Sequence, residues 1–304
     1  MSFAVVDIGS GSARYLAYDD DGNLTGQRSI VTRLGAGLAT SGRLDPDAIE
    51  RLGEALRSFR AAHTDIVEWH ALATAAVREA TNGQDAIDVA TNALGTAPRV
   101  LSGLDEGRYA FAGAVAGLTP YEGTTLVIDI GGASTEFTVG TTVAERALSV
   151  PLGALRLTEA ELDSDPPKPE ELSNAVGFVS DYVDDVLREL PDVQLADRVI
   201  ILGGTANTMA AVEIGLAVYD RAKTHGFVLT RAAAEDVFRT LATESLAERV
   251  HNPGLPADRA AFIVGGCCIV VAIMRRMHLD HAIVSAANVL DGFAAAIAAS
   301  RGNA

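Results

Sequence analysis

Apolar and polar positions along the chain fall into two blocks that follow one plan. Short apolar, β-branched runs bounded by turn residues predict strands, and apolar residues three and four apart predict helices. In the first block Phe3 to Val6 is a strand ending at Asp7, Ala13 to Tyr18 a second strand turned by Asp20-Asp21-Gly22, and Leu24 to Arg33 a third. Asp45-Pro46 then opens a helix, with Asp45 as its cap and Ile49, Leu52, Leu56 and Phe59 on one face. Val67 to Thr74 and Arg99 to Leu101 read as strands, and Gln84 to Leu94 and Asp105 to Val115 as helices.

The second block restarts the pattern. Thr125 to Ile128 ends at Asp129, Thr135 to Val139 follows, and Val143 to Val150 is third. A Pro-rich loop, Asp165 to Pro169, leads into a long helix from Glu170 to Leu190. Val199 to Leu202 is a buried strand ending at Gly203-Gly204, with a helix behind it. Later segments read as mostly helical, with one strand at Ala282 to Ser285. VVDIGSGS (Val5 to Ser12) and VIDIGGAS (Val127 to Ser134) align without gaps. A repeat of this kind predicts two related α/β domains, 1–122 and 123–304, facing each other across a cleft.

Composition narrows the choice of function. Of 304 residues 48% are hydrophobic and 21% charged, an ordinary globular balance. The formal net charge of −16 argues against nucleic acid as a partner, and an anionic substrate would need a locally positive site. Cys267 and Cys268 are adjacent in an apolar run, read as buried thiols of a reducing, cytoplasmic setting. Asp7 interrupts the first apolar stretch, so no signal peptide is expected there. The longest apolar run, Ala260 to Met274, has 15 residues between Arg259 and Arg275-Arg276 and reads as a buried helix rather than a membrane span.

The repeated turns carry the candidate chemistry. Glycine lets backbone approach a ligand, and successive N–H groups form an anion-binding nest to which serine adds donors. Gly9-Ser10-Gly11-Ser12 and Gly131-Gly132-Ala133-Ser134 are each expected to hold a phosphate group. Asp7 and Asp129 cannot bind phosphate directly but suit Mg²⁺ or Mn²⁺. Gly203-Gly204-Thr205, between a buried strand and a helix, is a third phosphate-binding arrangement. No P-loop and no dinucleotide fingerprint is present. His278 and His281 lack a third ligand nearby, Asp19-Asp20-Asp21 reads as a solvated turn, and Trp69 as core.

DIGSGSAR (Asp7 to Arg14), ATAAVREATN (Ala73 to Asn82), SGLDEGR (Ser102 to Arg108), VIDIGGASTEF (Val127 to Phe137), PLGALRLTE (Pro151 to Glu159) and GGTANTMAA (Gly203 to Ala211) together resemble the exopolyphosphatase/guanosine pentaphosphate phosphatase (Ppx/GppA) family. The resemblance implies the two-domain acetate kinase/actin-like, ribonuclease H-like fold. It implies hydrolysis of the terminal phosphate of polyphosphate or guanosine pentaphosphate, with Glu106 as the catalytic base that activates water. It further implies metal handling by Asp129, Glu136 and Asp7, and substrate contact by Arg78, with Arg14 and Arg33 as further candidates. A homodimer is an expectation by the same analogy.

Three departures from the family pattern stand out. Gly11 replaces a usual Asn, Ala133 a frequent third Gly, and Ser285 to Gly292 lacks the Arg of a G-L-R-E-G stretch. The resemblance also implies a short form, without the C-terminal helical domain of longer members and so better suited to short chains. Two other readings stay open: an ATP-dependent small-molecule kinase of the same fold, or an inactive phosphate or nucleotide sensor.

Overall fold

In the computed structural model, which describes residues 2–302, two mixed sheets flank a cleft. The first holds β1 (Phe3–Ile8), β2 (Ser12–Tyr18), β3 (Leu24–Val31), β4 (Glu68–Ala73) and β5 (Arg99–Val100) in the order β3-β2-β1-β4-β5. The second holds β6 (Thr125–Ile130), β7 (Thr135–Gly140), β8 (Ala144–Val150), β9 (Arg198–Leu202), β10 (Val228–Thr230) and β11 (His281–Ser285) in the order β8-β7-β6-β9-β11-β10. Apart from β10 at its edge, the second sheet repeats the first: two antiparallel pairings, then parallel strands on the far side of the leading strand. The register repeats too, with Asp7 opposite Arg14 on β2 and Asp129 opposite Glu136 on β7.

Both leading strands are buried along their whole length, which explains their unbroken apolar runs. An Asp at the end of such a strand is forced into the interior, where it needs a partner or a ligand. The Pro46–Ala62 helix starts where the capping chemistry places it. Asp45 accepts from the Asp47 and Ala48 N–H groups at 2.8 and 3.3 Å, and Ile49, Leu52, Leu56 and Phe59 face the core. Every residue from Ile263 to Met274 is buried in the expected interior helix, and burial pushes both thiols, Cys267 and Cys268, up. Among the described residues no helix is long and apolar enough to cross a membrane. Trp69 is core, with the Arg60 guanidinium 5.3 Å above its ring.

Two differences from the sequence reading concern connectivity. β10, with three residues, is too short to show an alternation and was not expected. The division at residue 122 places the last helix, Val289–Gly302, in the second unit, yet it packs on the first sheet beside the Gly103–Ala116 helix. Between the two sheets these helices form a shared core: Phe3, Val5 and Leu16 on one side, Val127, Ile200 and Leu202 on the other, Phe111 and Phe293 between. The helices approach so closely that a Cβ at Gly113 would strike the Asn288 carbonyl, and one at Gly292 the Tyr109 carbonyl. The last helix thus packs between the two sheets.

Candidate active site

The two repeated turns are built alike. The Gly9 N–H donates to the Ser12 carbonyl at 3.1 Å, and the Gly131 N–H to the Ser134 carbonyl at 3.0 Å. The turns' carbonyls are held from outside. Thr32 and Arg33 N–H groups donate to Gly11 O at 3.1 and 2.9 Å, while Ala154 and Leu155 donate to Gly131 O and Gly132 O, each at 2.9 Å. Among the described residues, the amides of Ser10, Gly11, Gly132 and Ala133 donate to no backbone carbonyl outside the strands. Amides in such a turn, free of carbonyl partners, are the donors of an anion nest. The turns abut across the cleft, a Cβ on Gly132 standing 3.0 Å from the Gly11 nitrogen.

The third loop completes the enclosure. Gly203 adopts φ 97°, a conformation that favours glycine, and a side chain there would meet the Ile130 carbonyl. The Gly204–Ile214 helix starts at this point, with its N-terminal amides at the chamber. The three loops enclose a chamber of about 70 Å³. It adjoins a cavity of about 370 Å³, and the two share Arg14, Gly203, Gly204 and Arg259 in their walls.

Carboxylates converge on the chamber. Asp7 is 1% exposed, and one of its oxygens accepts from Arg14 Nε at 3.0 Å. Its other oxygen, Oδ1, is buried with no hydrogen-bond partner. Asp129 is pushed up to about 6, chiefly by burial, with Arg14 opposing and Asp7 reinforcing. Glu106 enters from the first turn of the Gly103–Ala116 helix, which Ser102 caps by accepting the Asp105 N–H at 3.1 Å. Burial, then the charges of Glu136, Asp129 and Asp7, raise the Glu106 carboxyl well above the usual carboxylate range, while Arg78 opposes. Glu136 is raised as well, by burial first and Asp129 second. Burial and one another's charges thus push Glu106, Asp129 and Glu136 toward their neutral forms.

The structure brings together most, not all, of the residues expected at the site. Asp7, Gly9, Ser10, Gly11, Ser12, Arg14, Glu106, Asp129, Gly131, Gly132, Ser134, Gly203, Gly204 and Thr205 line the chamber. Three others lie behind its wall. Ala133 is buried against Gly153, whose clamp on the second turn displaces it from the surface. Glu136 accepts from Ser149 Oγ at 2.7 Å beneath the floor, so it acts on the chamber through its charge. Arg78 donates to the Leu101 carbonyl at 2.8 Å and stands 3.4 Å from Glu106, so it bears on the acid rather than on the chamber itself. Arg33, another substrate-contact candidate, is turned to the Phe262 ring at 5.8 Å. Arg108, close to Glu106 in sequence, pairs instead with Asp105 at 3.6 Å.

Thr74 and Arg259 are in the wall without having been expected there. A side chain at Gly204 would collide with the Arg259 guanidinium, which therefore lies directly on that glycine. Among the described residues no hydrogen bond or ion pair engages this guanidinium, and burial pulls its pKa down, with Arg14 adding to the effect. In the sequence Arg259 marked only the edge of an apolar run.

A divalent cation fits these residues in a limited way. Among the described residues no three Asp, Glu, His or Cys side chains form a ready-made cage. Mg²⁺ commonly takes one or two carboxylates and completes its shell with water and substrate phosphate. The partnerless Asp7 Oδ1 is an oxygen of the required kind.

Known proteins share this architecture. A crystal structure of the Aquifex aeolicus Ppx/GppA family member is 30% identical, covers 99% of this chain and 98% of its own, and superposes with a TM-score of 0.78. That of an exopolyphosphatase-like protein is 28% identical over 96% of this chain and 97% of its own, with a TM-score of 0.90. Among curated proteins, Exopolyphosphatase 2 of Mycobacterium tuberculosis is 29% identical, over 97% of this chain and 94% of its own length. The fold of this chain, with its duplicated sheets, is the one these two solved structures share. The family model described as "Ppx/GppA phosphatase family" matches residues 17–299, and with nearly its whole length covered this chain belongs to that family.

Proposed function

We propose that the chain is an exopolyphosphatase, releasing the terminal phosphate of inorganic polyphosphate, preferentially short chains, or of guanosine pentaphosphate, with Mg²⁺ or Mn²⁺. The observation that carries this reading is the pair of joined spaces: a chamber of about 70 Å³ between two anion nests, opening into about 370 Å³ bordered by Arg14, Arg28, Arg221 and Arg259. The chamber suits a single phosphoryl group, and the cavity suits the rest of a polyanion. A small chamber joined to a larger cavity accommodates the end of a chain, which supports terminal cleavage. On a protein of net charge −16, Arg28 and Arg259, beside Arg14 and Arg221 paired with Asp7 and Asp291, supply the cationic groups that an anionic substrate requires.

The protein's own groups have separable roles. The free amides of the two turns orient the terminal phosphoryl group, and Arg259 and Arg14 neutralise oxygens beside the bond that breaks. Glu106, in its ionised form, accepts a proton from water aligned opposite the leaving phosphate. Asp7 and Asp129 would hold the cation, which when bound supplies Lewis acidity and offsets the clustered negative charge. Residence in the cytoplasm and a homodimer belong to the same reading.

The test is orthophosphate release from polyphosphates of graded length, guanosine pentaphosphate and ATP, with Mg²⁺ and after chelation. Release one phosphate at a time from short polyphosphate, lost with the chelator, is expected. Transfer from ATP to an acceptor, or binding without turnover, would overturn it.

The electrostatics supply a second expectation. Glu106 must lose its proton to act, so kcat/KM should fall at low pH with an apparent pKa above the ordinary Glu value of about 4.3. Glu106 and Glu136 each oppose the other's ionisation, so Glu136→Gln leaves Glu106 to lose its proton without that opposition. Glu136→Gln should therefore move the acid limb of the pH profile to lower pH. A limb that stays put would show that the two acids are uncoupled.

A further inference from the structure

Arg259 reaches the chamber from a long connection, residues 250–262, whose only regular element among the described residues is the short Ala257–Arg259 turn. A loop of that kind does not hold a long cationic side chain in one place unaided. At its start stands Arg249, 4% exposed. Its Nε donates to the Leu241 carbonyl at 2.8 Å, and its two terminal nitrogens donate to the carbonyls of Ala260 at 3.0 Å and Glu244 at 2.7 Å. Asp165 lies 3.6 Å away and also accepts the Leu246 N–H at 2.8 Å. One planar group thus joins the end of the Arg231–Thr243 helix to the residue that follows Arg259.

Fixing the Ala260 carbonyl fixes the Ala260–Ala261 peptide plane, which begins one residue after the Cα from which Arg259 projects. Close packing helps, since a side chain at Gly254 (φ 87°) would strike the Ala211 carbonyl, so the loop's middle is seated on the end of the Gly204–Ile214 helix. Between Gly254 and the chamber, the Arg249 to Ala260 bond is a side-chain tie on the stretch carrying Arg259. A guanidinium presents its donors in a rigid fork that spans three carbonyls, which a single ammonium cannot match.

We propose that Arg249 is a positioning residue for Arg259, holding the loop 250–262 so that the Arg259 guanidinium lies on Gly204 at the substrate chamber. This rests on the phosphate-release reading for its kinetic consequence, but not for its structural one.

The experiment compares Arg249→Met, Arg249→Lys, Arg259→Met and the double variant Arg249→Met/Arg259→Met on tripolyphosphate, alongside hydrogen exchange of peptides covering 250–262. Arg249→Met should raise KM about tenfold with kcat within about twofold, and should speed exchange in 250–262 selectively. Arg249→Lys should fall between it and the parent; if the Met variant does not fold, Lys carries the comparison. In the Arg259→Met background the same change should alter KM by less than about twofold, because the group it positions is gone. An undiminished effect in that background, or unchanged exchange in 250–262, would overturn the proposal. Should the parent protein release no phosphate, the substrate reading fails, while exchange still decides whether Arg249 holds the loop.

Discussion

Glu106→Gln is expected to lower kcat on short polyphosphate about 10³-fold while leaving KM within a few fold, as removal of a general base does. The amide keeps the shape of the side chain and its place in the first turn of the Gly103–Ala116 helix. It cannot accept the proton of the attacking water. The same change should not destabilise the protein. An acid whose folded pKa is raised keeps a proton that the unfolded chain has given up, so its contribution to stability falls as pH rises from its ordinary value toward the folded one. Gln has no charge to lose, and the melting temperature at pH 8 should be equal to or above that of the parent. Calorimetry beside a phosphate-release assay checks both halves. Retained turnover would remove Glu106 from the mechanism, and a large fall in melting temperature would make it a structural group.

Arg259→Met should raise KM about 10- to 100-fold, the range expected for one charge-assisted contact to an anion. Its effect on the free protein should differ. The half-buried guanidinium lacks an ion pair among the described residues, and burial disfavours its charge, so replacing it with an apolar side chain should not cost stability. Weaker substrate binding with unchanged or improved thermal stability would mark a residue held for ligand rather than for fold. An unchanged KM would show that the anion does not reach Arg259.

The scaffold was legible because its key segments are local. A leading strand that ends in Asp, then Gly and Ser, announces itself twice, and both copies form the same turn with the same Gly-to-Ser hydrogen bond. Asp45-Pro46 specified a helix start by capping chemistry that needs no tertiary information. What sequence could not show depends on depth. Every residue of β7 is buried, so alternation along Thr135–Gly140 does not reveal that Glu136 points to Ser149 beneath the floor. Ala133 belongs to the motif by alignment, yet the close approach of Gly153, twenty residues on, puts it behind the wall. Arg259 and its tether Arg249 come from an irregular connection, where no periodicity exists to be read. Their meeting with Gly204 is a product of long-range packing.

The return of the C-terminal helix to the first sheet bears on how the protein is made. The last strand of that sheet, Arg99–Val100, leaves the ribosome long before Val289–Gly302 does. Until those residues emerge, Phe3, Val5 and Leu16 lack the apolar face that covers them in the folded chain. Nascent chains halted before about residue 290 should therefore stay protease-sensitive in their N-terminal half and recruit holdase chaperones, becoming resistant when the closing segment arrives.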